Sequence, residues 1–197
     1  ARLGSGALPF LTPLLLQVAM GYSPAQAGMS MIPLALAAML VKPLANPLIN
    51  RLGYRRVLTT NTLLLGLLIA SMALIDNDSS RIQLLVQLFL IGAVNSLQFT
   101  AMNAVTLIDL PDADASSGNG LLSVVAQLSM SFGVAAAAAL LGGFTLDNED
   151  SADGVLRAFH ATYLCIGGLS MLAAALFLQL PRRGSRHRKK DIPDVDD

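Results

Sequence analysis

Six polar residues crowd one otherwise apolar stretch of the chain: Asn95, Ser96, Gln98, Thr100, Asn103 and Thr106. Amides and hydroxyls at this density offer hydrogen bonds rather than proton transfer or nucleophilic attack. Asn95, Gln98, Met102 and Thr106 recur at helical spacing along one stripe, with Ser96, Thr100 and Asn103 on the stripe beside it. Packing two helices together needs only one or two such groups. The excess suits a wet cavity in which Asn95, Gln98, Met102 and Asn103 contact a solute. Gln17 and Gln127 are further amides in apolar surroundings, each suited either to solute binding or to a packing contact.

Lys42 is the one charge inside its apolar stretch, and no Asp or Glu accompanies it. An ammonium near the middle of a membrane span costs about 2.5–3.5 kcal/mol on insertion scales. Two arrangements reduce that cost. The long stem can snorkel toward water, or the ammonium can face a cavity and attract an anionic solute or a carboxylate from elsewhere in the protein. Proton relays in transporters use Asp, Glu or His. With no intramembrane acid here, a proton carrier is expected outside this chain. An enzyme is excluded for want of parts. There is no Ser–His–Asp set and no intramembrane catalytic acid, His160 and His187 lie far apart, and the lone Cys165 forms neither a disulfide framework nor a zinc cluster. No metal or other cofactor is expected.

The elements that must position these residues follow from hydropathy. Hydrophobic residues make up 54% of the 197, and charged residues 13%, about half the share in a soluble domain. A bilayer core of roughly 30 Å needs about 20 helical residues. Six stretches reach that length, at about 3–20, 25–49, 57–75, 82–108, 120–144 and 159–180, giving an all-α membrane domain over 1–180. Gly21-Tyr22-Ser23-Pro24 reads as a tight turn, and polar loops occupy 76–81 and 147–154. Pro33, Pro43 and Pro47 predict a bent second span. The alanine run at 135–139 with Gly142 and Gly143 predicts a fifth span buried among its neighbours.

Orientation follows from Lys and Arg in the short loops. Arg2, Arg51, Arg55, Arg56, Arg182, Arg183, Arg186, Arg188, Lys189 and Lys190 fall on one side, which is 10 of 13 basic residues. That side is expected to be cytoplasmic, with both termini on it. The tail at 181–197, basic and then acidic, is expected to be a disordered cytoplasmic extension. The chain opens Ala1-Arg2 and enters an apolar stretch at once, as expected of a piece of a longer protein.

The run Asn46-Pro47-Leu48-Ile49-Asn50-Arg51-Leu52-Gly53-Tyr54-Arg55-Arg56 resembles the cytoplasmic loop signature of the major facilitator superfamily, Gly-x-Leu-x-Asp-Arg-x-Gly-x-Arg-Arg. Arg51, Gly53, Arg55 and Arg56 match, while Asn46 replaces the first Gly and Asn50 the Asp. In the family this loop steadies one conformation by charge pairing, which the neutral Asn50 alters. Leu8-Pro9, Gln17, Ser23-Pro24, Ala27-Gly28, Ile32-Pro33, Ser117-Gly118-Asn119 and Gln127 look like the second half of the 14-spanning drug:proton antiporters, although Ala126 stands where that family carries Arg.

That resemblance implies the C-terminal half of a proton-coupled efflux transporter in the bacterial inner membrane. Its partners would be the lipid bilayer, a small-molecule substrate and the N-terminal half of the same protein; no nucleic acid is expected. Drugs fit the family, whereas organic anions such as citrate fit an aromatic-poor cavity with one Lys. A self-contained six-helix homodimer, or a membrane receptor or scaffold subunit without transport, are the competing classes.

Overall fold

The computed structural model describes residues 2–76, 79–107, 115–147 and 152–177. Every regular element among them is helical. The chain runs as α1 (Arg2–Leu14), α2 (Pro24–Ser30), α3 (Ile32–Leu52), α4 (Tyr54–Ser71), α5 (Arg81–Leu107), α6 (Ala115–Asp147) and α7 (Ala152–Phe177). Five stretches are long and apolar enough to cross a membrane: Pro24–Leu52, Tyr54–Leu74, Arg81–Thr106, Ser116–Leu146 and Asp153–Phe177.

The expected first span, at 3–20, is not a regular helix of spanning length. Pro9 and Pro13 each remove a backbone donor from α1. The chain then widens into a π turn at Leu15–Ala19, closed by Met20 N–H donating to the Leu15 carbonyl at 3.1 Å. The second span is likewise divided. Pro33 cannot donate back to the Met29 carbonyl, and α2 ends at Ser30 with Met31 N–H turning to Gly28 at 3.1 Å. Pro43 and Pro47 lie within α3 without ending it. The turn before α2 is built as its residues predict. Gly21 has φ +68°, and Ser23 and Gln26 form a reciprocal capping box with Pro24 in the first helical turn.

The Arg2–Asn103 hydrogen bond and the cluster of Ile49, Val57 and Ala101 bring Arg2, the Gly53 joint and the last turns of α5 to one end of the bundle. Packing is strongest between α4 and α7, between α3 and α5, and between α1 and α6. The main core joins Leu11, Leu16, Leu65, Ile69, Leu88 and Phe159 from α1, the π turn, α4, α5 and α7. A smaller core near Gly53 joins Ala45, Ile49, Val57, Leu58 and Ala101. In the larger one, the buried Tyr163 hydroxyl shares a 3.2 Å hydrogen bond with that of Thr12, which satisfies two polar groups that would be costly alone.

Within this chain α6 is not the buried span that its small residues predict. Of the alanine run only Ala137 is buried, and Gly142 and Gly143 face open space. The close approach of α6 to α1 is made one turn earlier, at Gly133 against the Leu3 backbone. Small residues permit close packing, but a neighbour has to be present to use them.

Candidate functional site

A close helix crossing builds the site. Gly92 of α5 meets the backbone of Leu34 on α3 so closely that a Cβ would collide with the Leu34 carbonyl oxygen. Just beyond it, Ser96 Oγ donates to the Ala38 carbonyl at 2.9 Å, tying α5 to α3 a second time. These contacts form the floor of an open groove of about 340 Å³, whose lining includes Lys42, Asn95, Ser96, Phe99 and Thr100. Lys42 stands ten residues before the end of α3, which places it about 15 Å from that end, near the middle of a bilayer-spanning helix.

Lys42 is exposed in this groove and has no ion-pair partner among the described residues. Asn95 is half-buried in it, and its amide is not used to join helices. Thr100 donates its hydroxyl back to the Ser96 carbonyl at 3.0 Å. The groove therefore offers one ammonium, one amide and one aromatic ring. No carboxylate among the described residues lines it.

The other expected solute ligands are placed elsewhere. Gln98 is 2% exposed and faces α4 rather than the groove. It accepts from Asn61 Nδ2 at 2.9 Å and donates to Thr62 Oγ1 at 2.8 Å. Asn61 also donates to the Val94 carbonyl, and Thr62 to that of Leu58. This closed network satisfies every buried polar group it contains and clamps α4 to α5. Met102 packs on the small core beside Ala45 and Ile49. Asn103 accepts a hydrogen bond from Arg2 Nη2 at 2.7 Å. Gln17, in the π turn, and Gln127, on α6, are both exposed and lie outside the groove. The structure thus brings Lys42 and Asn95 together and leaves the remaining five apart.

Sequence reasoning missed Phe99, Asn61, Thr62 and the reach of Arg2. Asn61 and Thr62 carry a legible signal, since they are polar residues at membrane depth in the third span. Phe99 carries none, because an aromatic residue in an apolar helix is ordinary core.

The loop motif forms the sharp joint between α3 and α4. Gly53 alone separates the two helices, at φ +78° and ψ 151°, a backbone conformation open in practice only to glycine. Its N–H donates to the Ile49 carbonyl at 2.8 Å, and its carbonyl accepts from Val57 at 3.1 Å. Arg51 lies in the last turn of α3, where a cation complements the helix dipole, whereas Arg55 and Arg56 lie in the first turn of α4, where it opposes them. Asn50, Arg51 and Arg56 are exposed, and none of the three arginines has an acidic partner among the described residues.

Residues 1–194 match the family model described as Major Facilitator Superfamily. Similar proteins carry the name "Putative multidrug resistance protein MdtD". One from Pectobacterium atrosepticum is 45% identical over 92% of this chain. Another, from Serratia proteamaculans, is 45% identical over 95% of it. A third, from Yersinia pestis, is 43% identical over 92%. The chain spans 39% of the length of each of these relatives. On this evidence the chain, a multi-pass membrane protein, belongs to the major facilitator superfamily, whose members are transporters of small molecules and not enzymes.

Proposed function

We propose that this chain is the C-terminal half of an inner-membrane exporter of small organic solutes, working by alternating access and driven by proton antiport. The groove between α3 and α5 carries the reading. It lies at mid-depth and is lined by Lys42 and Asn95, where transporters of this kind place their solute. Most of α3 and α6 is exposed, as expected of helices that pack against the N-terminal half in the full-length protein. Gln17 and Gln127 would then complete the solute site from α1 and α6. The loop of Asn50, Arg51, Gly53, Arg55 and Arg56 would lie at the cytoplasmic end together with both termini; the tail expected at 181–197 lies outside the described residues. With no carboxylate in the groove, the proton carrier belongs to the remainder of the transporter.

A second reading narrows the solute to organic anions such as citrate. It is favoured by an unpaired ammonium in a groove without carboxylates. The test is transport by the full-length protein in proteoliposomes under an imposed proton gradient, comparing the lipophilic cation ethidium with citrate. Ethidium movement supports drug export, and citrate movement supports the anion reading. If neither moves with the gradient, the exporter reading is overturned.

A further inference from the structure

Arg2 does more than mark an orientation. It opens α1, which packs chiefly on α6, yet its guanidinium reaches across to α5, which packs chiefly on α3. Nη2 donates to Asn103 Oδ1 at 2.7 Å, and the guanidinium carbon lies 5.1 Å from the centroid of the Phe99 ring, within cation–π range. Nη1 is buried without a hydrogen-bond partner among the described residues. The same Phe99 is the one aromatic side chain lining the Lys42 groove.

This arrangement bears on which charge the groove accepts. A ring face is where a cationic solute would be held, and here a guanidinium already lies over Phe99. Lys42 lines the groove itself, and no carboxylate among the described residues pairs with either cation. In the low dielectric of a membrane protein such fields are weakly screened.

We propose that Arg2 is a specificity-determining residue. By stacking on Phe99 and acting with Lys42, it makes the α3–α5 groove select solutes that carry a negative charge and reject lipophilic cations. This inference rests on the exporter reading. Arg2 acts in part through Phe99, so its test must separate charge selection from mere structural support.

The experiment uses the full-length transporter in proteoliposomes with two isosteric planar competitors of opposite charge, benzoate and benzamidinium. Their inhibition constants are measured against whichever solute the parent carries. A ratio of two constants on one protein is independent of how much of it folds or reconstitutes. The parent should favour benzoate. Arg2→Gln, which retains a hydrogen bond to Asn103, should lower that preference about tenfold, the scale of one lost charge interaction. Arg2→Lys, which keeps the charge, should restore most of it. An unchanged ratio in Arg2→Gln, or a parent that favours benzamidinium, overturns the inference while leaving the exporter reading in place. A parent that moves no solute overturns both, and that result is seen before any variant is made.

Discussion

Gln98 of α5 and Asn61 of α4 are joined side chain to side chain at 2.9 Å, and both are buried. Interhelical hydrogen bonds in membrane proteins contribute about 0.6 kcal/mol on average and up to about 1.7 kcal/mol. Gln98→Leu removes two of them, to Asn61 and to Thr62. The full-length protein should lose about 1–2 kcal/mol of stability, read as a lower unfolding midpoint in detergent. The KM for the transported solute should stay at the parental value. A raised KM at unchanged stability would return Gln98 to the solute site.

Lys42 behaves in the opposite way. Its charge costs about 2.5–3.5 kcal/mol to insert, so Lys42→Met should leave the protein at least as stable as the parent. Gradient-driven transport of an anionic solute should nevertheless fall by about tenfold or more, the scale of one lost charge contact. Expression, unfolding and flux measured together decide the matter. Parental flux would demote Lys42 to a snorkelling residue.

At Gly92 the crossing itself is at stake. A Cβ there would meet the Leu34 backbone, which cannot rotate away. Gly92→Ala should separate α3 from α5 at the floor of the groove and cost about 1–3 kcal/mol. An unfolding midpoint equal to the parent's would contradict the close approach.

The α3–α4 joint is equally specific. Gly53→Ala forces a side chain into a backbone region that costs about 1–3 kcal/mol. Reconstituted transport should drop with stability, since the joint sets the angle between two spanning helices. A variant indistinguishable from the parent in both measurements would show that the joint adopts another conformation.

Much of the architecture was legible in the sequence. Hydropathy located the apolar helices, and the Gly21-Tyr22-Ser23-Pro24 turn was legible because it depends on local chemistry: a positive φ, a cap and a missing donor. The loop motif identified the family that the comparison then found. Proline also signalled trouble in the first two spans, although not that one would widen into a π turn and the other break at Met31.

The site was only half legible, and the reason is geometric. Helical spacing places Asn95, Gln98 and Met102 on one stripe, but it cannot say which neighbour that stripe meets. In the folded bundle α5 lies between α3 and α4, so residues a turn apart fall to different partners. Asn95 opens to the groove with Lys42, Gln98 is taken up by Asn61 and Thr62, and Met102 enters a core. The sequence by itself determined which residues are polar at membrane depth, since hydropathy is a property of each residue. Only the tertiary structure decided which of them are already hydrogen-bonded and which remain free for a solute, because satisfaction of a polar group belongs to the pair and not to the residue.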